Sequence, residues 1–171
     1  QVEFDLANKV VRYEFVVMVD HCELYEIDQD FEVSRMCELA DAVDHALPLC
    51  TGVASKPDSN QIFVARHARD CNGADSGRSF SDGSELAGIV VLDEPTFERT
   101  AFHPIGVVAE GLCIVRDVLC VSGVKRVPGG VQRGVFEYSV EDPSELVLNR
   151  CFPVASNLDP WGVTFCSRRQ G

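Results

Sequence analysis

Long apolar runs and basic clusters are missing from this sequence of 171 residues, and each absence excludes a class of protein. No run approaches the roughly 20 apolar residues that a membrane-spanning helix requires, so we expect this segment not to cross a membrane. The chain has 15 Lys and Arg against 27 Asp and Glu, and its formal net charge of −12 repels phosphate backbones. Nucleic acid is therefore not an expected partner.

Motifs that bind metals and cofactors are missing as well. The chain has no phosphate-binding loop, no G-x-G-x-x-G and no G-x-S-x-G, and no two histidines are spaced i, i+4. Structural zinc sites use cysteines separated by about two to four residues, whereas the closest cysteines here are Cys113 and Cys120. We therefore predict neither a metal site nor a cofactor.

Cysteine itself is abundant, and the eight residues are dispersed along the chain. An even number of dispersed cysteines is typical of disulfide-linked proteins from an oxidising compartment, although eight thiols in a cytosolic protein are the alternative. We predict a secreted, extracellular or lumenal protein whose disulfides involve the following residues: Cys22, Cys37, Cys50, Cys71, Cys113, Cys120, Cys151 and Cys166. Eight cysteines can pair in on the order of a hundred ways, so the pairing stays open.

The hydrophobic pattern predicts a mainly β protein that forms a single domain over residues 1–171. Turn residues separate short segments rich in β-branched and aromatic residues, which is typical of strands. Parallel strands would need crossover helices between them, so we expect an antiparallel sheet, a sandwich or a half-barrel. An opening hairpin is predicted from Val2–Phe4 and Val10–Val19. The predicted strands after it are Glu23–Asp28, Gln61–Ala65, Leu86–Leu92, Ile105–Ala109, Leu112–Val121, Val131–Val140 and Val163–Cys166.

One helix is predicted, over about residues 31–47. Asp30 is suited to the N-cap and Pro48 to the end of this helix. The apolar residues recur at i, i+3, i+4 and i+7, as on one face of a helix: Met36, Leu39, Ala40, Val43 and Leu47.

A catalytic interpretation exists for residues 74–77, Ala-Asp-Ser-Gly, which resemble the nucleophile loop of trypsin-like serine proteases. The base would be His21, the orienting acid would be Asp41 or Asp44, and the nucleophile would be Ser76. The predicted helix and the long segment after Ser76 do not fit the two barrels of such a protease. We therefore assign no catalytic residue, and a serine hydrolase using Ser76 is kept as an alternative.

Segments from most of the chain resemble the ependymin-related proteins in order and approximate spacing. They are FDLANKVVR at 4–12, ELYEIDQ at 23–29 with Cys37 downstream, VRDVLC at 115–120, and VFEYSVEDPS at 135–144 with Cys151 downstream. The resemblance implies a folded-over antiparallel sheet around an apolar cavity, similar to the bacterial lipoprotein carriers, that holds a lipid or another hydrophobic ligand. The chain departs from the family in its additional cysteines, its lack of N-x-S/T sequons and its predicted helix.

These observations together predict a non-enzymatic extracellular binding domain. Its partner would be a hydrophobic small molecule in a curved-sheet cavity or another protein. The alternative is the ectodomain of a receptor, surface or viral glycoprotein that mediates protein–protein attachment. The residues alone identify no binding site.

Overall fold

The computed structural model describes residues 4–5, 10–11, 14–18, 23–28, 30–39, 46–56, 59–70, 88–142 and 144–155. Over these residues the chain forms strands and contains no helix. The strands are β1 (Phe4–Asp5), β2 (Val10–Val11), β3 (Glu14–Met18), β4 (Glu23–Ile27), β5 (Val33–Glu38), β6 (Ala46–Lys56), β7 (Gln61–Asp70), β8 (Gly88–Asp93), β9 (Arg99–His103), β10 (Val107–Val115), β11 (Val118–Val127), β12 (Gly130–Ser139) and β13 (Val147–Pro153). The predicted antiparallel, mainly β fold is confirmed.

The strands pair in chain order. Besides the short β1–β2 pair, there is a first sheet (β3-β4-β5), a central sheet (β6-β7-β8-β9) and a last sheet (β10-β11-β12-β13). Every pairing described is antiparallel. Strands that are consecutive in the chain are therefore neighbours within each sheet, as expected of a meander.

The three larger sheets stack in layers around two apolar cores. The first core lies on one face of the central sheet, where Phe63 and Ile89 pack with Leu119 and Phe136 of the last sheet. The second core lies on its other face, where residues of β7 and β8 pack with Leu24 of the first sheet. The central sheet is thus buried on both faces, which explains why Ile62–Ala65 and Ile89–Leu92 are continuous apolar runs.

The central and last sheets meet where β6 approaches β10. Each strand has an irregularity there, between Cys50 and Gly52 and between Ala109 and Gly111. The hydroxyl of Thr51 donates a hydrogen bond of 2.6 Å to the carbonyl of Ala109. A Cβ added at Gly52 would lie 3.1 Å from the amide nitrogen of Leu112, so a glycine lets the two backbones come this close.

The helix predicted over 31–47 is wrong for the described part of that range. Residues 33–38 form β5, and β6 begins at Ala46, so Pro48 lies within a strand rather than at a helix end. The chain reverses just before β5: the carboxylate of Asp28 accepts hydrogen bonds from the amides of Asp30 and Glu32. Pairing with β4 then outweighs the helical spacing of the apolar residues, and Met36 is 55% exposed instead of buried.

Strand boundaries differ from the prediction in the second half of the chain. The predicted strand Leu112–Val121 is the end of β10 and the start of β11, joined by a tight turn at Arg116 and Asp117. That turn contains neither glycine nor proline, the strongest turn signals, and Asp117 is its one residue of a type common in turns. Strands β9 and β13 were not predicted, and the predicted strand Val163–Cys166 lies outside the described residues.

Candidate functional site

The β4–β5 hairpin is part of the first sheet, and its inner side is attached to the turn between β8 and β9 of the central sheet. Glu26 is buried, and its carboxylate accepts hydrogen bonds from Arg35 at 2.6 Å (Nε) and 2.9 Å (Nη2). The hydrogen bond and charge of Arg35 hold the pKa of Glu26 below its usual range. Arg35 also donates to the carbonyl of Pro95 at 2.6 Å and lies 4.0 Å above the ring of Phe97. One guanidinium thus fastens the hairpin to the turn between β8 and β9.

The outer side of the same hairpin carries apolar side chains that the described residues leave exposed. Phe31 is 80% exposed at the turn, and Val33 and Met36 are each 55% exposed on β5. Register places Met36 opposite Tyr25 and Val33 opposite Ile27, so these four side chains share one face. We call Tyr25, Ile27, Phe31, Val33 and Met36 the hairpin face.

Acidic residues surround the hairpin face. Besides the buried Glu26, residues 23–39 contain Glu23, Asp28, Asp30, Glu32 and Glu38, and the one basic residue of this segment is Arg35. Within the described part of the chain, none of those five carboxylates forms an ion pair. Glu23 lies directly opposite Glu38, an arrangement of like charges that destabilises a strand pair. The hairpin therefore presents an apolar strip with negative margins.

Tyr25 shows the effect of this negative charge on a neighbouring group. Its hydroxyl donates a hydrogen bond of 2.5 Å to Glu23. This hydrogen bond, and to a smaller extent partial burial and the carboxylate charge, raise the pKa of Tyr25. The tyrosine therefore remains a neutral donor and holds the Glu23 carboxylate at the margin of the face.

β5 is also the last strand of its sheet, whose order is β3-β4-β5. It pairs with β4 on one side, and within the described residues no strand pairs with its other side. Edge strands expose backbone donors and acceptors, and proteins usually protect them with inward charges, proline or short length. Here the outward side chains of the edge strand include two large apolar ones.

A row of side chains crosses the outer face of the last sheet. Cys113 of β10 lies opposite Cys120 of β11, Cys120 lies opposite Glu137 of β12, and Glu137 lies opposite Arg150 of β13. Glu137 accepts a hydrogen bond from Arg150, and the two thiols hydrogen-bond to each other. Burial, followed by the charges of Cys113 and Glu137, raises the pKa of Cys120 to about 11.

The other cysteines of the described residues lie elsewhere. Cys37 packs against the second core and Cys50 is buried in it. Cys151 packs against the first core, and burial raises its pKa. No two cysteine sulfurs lie at bonding distance within the described residues. Cys22, Cys71 and Cys166 lie outside them, so the predicted disulfides stay a prediction.

The residues of the catalytic alternative cannot be located. His21, Asp41, Asp44 and Ser76 all lie outside the described residues, so the serine-hydrolase hypothesis stays untested. Among the described residues, no group of three or more His, Cys, Asp or Glu side chains is placed to hold a metal ion. That same part of the chain has no helix long and apolar enough to span a bilayer.

Comparison with known proteins gives no family assignment. No family model matches the chain, and no curated protein matches it. The resemblance to the ependymin-related proteins therefore stays a prediction.

Sequence reasoning missed the hairpin face. It assigned Met36 to the buried side of a helix and did not single out Phe31 or Val33. The pattern did not show it, because Val33 and Met36 are three residues apart and share a face only through the irregularity in the β4–β5 register. The available signal was the pair Asp28 and Asp30 between the segments that form β4 and β5, since aspartate is common in turns.

Proposed function

We propose that this protein is a non-enzymatic extracellular binding domain that engages an extended, cationic segment of another protein at the hairpin face. The observation that carries the proposal is that exposed Phe31, Val33 and Met36 lie at an edge strand beside carboxylates that form no ion pair within the described residues. Contiguous exposed apolar surface is typical of interaction sites on soluble proteins.

The chemistry of the partner follows from the hairpin. Strand addition at β5 would supply backbone hydrogen bonds along the edge, and alternate apolar side chains would cover Val33 and Met36. Lysine or arginine at the flanking positions would meet the carboxylates of Glu32 and Glu38. A partner cation near Glu23 and Glu38 would also relieve the repulsion between these two opposed charges.

An oxidising location fits the cysteine content. Eight dispersed cysteines are characteristic of disulfide-stapled extracellular proteins. We include disulfide stapling and secretion in the proposal on this basis. Protein attachment is preferred to the carriage of a hydrophobic ligand because the apolar residues of the hairpin face point outward.

A peptide-binding measurement tests the proposal. The probes are two short synthetic strands, one alternating lysine with valine and one alternating glutamate with valine, followed by fluorescence anisotropy. We expect the lysine peptide to bind and the glutamate peptide not to bind. Binding should weaken as salt rises, because the screening length falls from about 10 Å at 0.1 M to about 3 Å at 1 M.

Met36→Lys should weaken binding of the lysine peptide at least about tenfold, equivalent to ~1.4 kcal/mol. The substitution removes an apolar contact and adds a like charge, and stability should change little because Met36 is exposed. Phe152→Ser is the matched control, since Phe152 is also an exposed apolar residue but lies on β13 of the last sheet.

Three results would count against the proposal. If Met36→Lys bound the lysine peptide as tightly as the unmodified protein does, the hairpin face would not be the binding site. If neither peptide bound, the proposal of a cationic partner would be wrong. A lipid retained through purification and detected by native mass spectrometry would favour a carrier instead.

A further inference from the structure

We propose that Cys113 and Cys120 form a disulfide across the β10–β11 hairpin on the outer face of the last sheet. The two residues are direct partners in the strand register, so their side chains leave the same face. Directly opposed residues of antiparallel strands have Cα atoms about 4.5 to 5.5 Å apart, within the range of about 4.4 to 6.8 Å that disulfides span.

The other described cysteines do not compete for this pair. Cys151 lies opposite Phe136, one position from Glu137, and packs into the first core on the inner face of the sheet. Its thiol accepts a hydrogen bond of 3.3 Å from the amide of Gln132. Cys37 and Cys50 belong to the second core, beyond the central sheet. Bridging Cys120 to any of them would require a sulfur to pass through a sheet.

The contact between the two thiols also assigns their roles. Cys120 donates a hydrogen bond that favours the thiolate of Cys113, whereas the same bond disfavours ionisation of Cys120. Cys113 is therefore the thiol that ionises first and attacks, and Cys120 is the one that completes the bridge.

Bridge formation requires an oxidant, which we take to be a small-molecule disulfide such as oxidised glutathione. The Cys113 thiolate attacks one sulfur of that disulfide, and the first glutathione leaves as a thiolate. Cys120 then loses its proton and attacks the sulfur of Cys113, which releases the second glutathione. Two electrons pass from the cysteines to the oxidant, and the two cysteine protons end on the two glutathione thiolates.

Burial and neighbouring charges together keep the pKa of Cys120 high. The charged groups that act on Cys120 are Glu137 of β12, which raises its pKa, and Arg150 of β13, which lowers it. At the hairpin turn, Lys56 of β6 and Asp117 neutralise each other in an ion pair of 2.6 Å. Since the thiolate is the reactive form of each cysteine, oxidation should accelerate as the pH rises.

The turn between β10 and β11 contains a trypsin cleavage site, which makes the disulfide directly measurable. Trypsin cleaves after Arg116 and so separates Cys113, in peptide 100–116, from Cys120, in peptide 117–125. The folded, fully reduced chain is treated with oxidised glutathione, remaining thiols are blocked with N-ethylmaleimide, and the digest is analysed without reduction. We expect the two peptides to be joined and to separate on reduction.

Variants distinguish this pair from other bridges. Cys151→Ser should leave the joined peptide intact, whereas Cys113→Ser and Cys120→Ser should each abolish it. Recovery of both peptides carrying N-ethylmaleimide, or of either peptide linked to a different cysteine, overturns the assignment. Neither result depends on the hairpin face, so the assignment of this disulfide and the proposed peptide-binding site fail separately.

Glu137→Gln tests whether the charge of Glu137 slows the formation of the disulfide. It removes the carboxylate opposite Cys120 and releases Arg150, so the joined peptide should form severalfold faster at the same pH. Glu141→Gln changes the same charge at an exposed position beyond the end of β12 and should leave the rate unchanged. Equal rates in the two variants would remove Glu137 as the group that slows the reaction.

Discussion

Replacing Arg35 with alanine is expected to lower the free energy of unfolding by about 3 kcal/mol at neutral pH. The substitution leaves the carboxylate of Glu26, whose side chain is 8% exposed, without its cationic partner. The hydroxyl of Ser34, at 2.9 Å, becomes the remaining side-chain donor to that carboxylate. The contacts of Arg35 with Pro95 and Phe97 are lost as well, so the hairpin loses its attachment to the β8–β9 turn.

Urea unfolding followed by circular dichroism measures this loss, and its pH dependence identifies the cause. Because the pKa of Glu26 is lowered in the folded protein, its ionised form contributes stability above the unfolded value near 4.5. That contribution disappears as the pH falls through the lower folded value. The difference in free energy of unfolding between the unmodified protein and Arg35→Ala should therefore become smaller at acidic pH.

The double variant Glu26→Gln with Arg35→Ala is the control for the buried charge. It removes both members of the pair, so it should be more stable at neutral pH than Arg35→Ala alone. A loss below about 0.5 kcal/mol in Arg35→Ala, in the range of exposed ion pairs, would contradict the structural role of the pair.

Gly123→Ala should also destabilise the protein by about 3 kcal/mol, the upper end of overpacking effects. Gly123 lies within β11, and an added Cβ would overlap the carbonyl oxygen of Val108 and come within 2.9 Å of Cγ1 of Val107. The carbonyl belongs to the backbone of the neighbouring strand β10. Relief would therefore require the two strands to separate locally.

Gly106→Asn provides the comparison for Gly123→Ala. Gly106 has φ +63°, where asparagine is the best tolerated side chain after glycine, and an added Cβ would meet no atom within 4 Å. Both variants add a side chain, but only the side chain added at position 123 overlaps the backbone of a neighbouring strand. Equal midpoints of urea unfolding for the two variants would show that β10 and β11 do not approach as closely as described.

The local pattern of apolar and polar residues was enough to predict several of the strands. Glu23–Asp28 was predicted as a strand and forms β4 over Glu23–Ile27, and the predicted strand Val131–Val140 forms β12 within one residue at each end. These segments alternate between apolar and polar residues because one face is covered and the other is not, so the pattern records the burial directly. The lack of crossover helices between the predicted strands indicated the antiparallel arrangement.

The candidate site could not be predicted in the same way. The apolar residues of 31–39 satisfy a helical spacing as well as they satisfy a strand, and the register with β4 decides between them. Cys113 and Cys120 became neighbours only because the turn lies at Arg116 and Asp117, where no glycine or proline marks it. A shift of that turn by one position would have placed them out of register.

The sequence by itself determined the strand-rich composition, the acidic balance and the dispersed cysteines, since these depend on residue type and on spacing within each segment. The tertiary structure decided that the central sheet is covered on both faces and that Met36 points away from the protein. It also decided that two thiols and two charges form one row across four strands. Register and layer stacking are interactions between segments far apart in the chain, and no local window contains them.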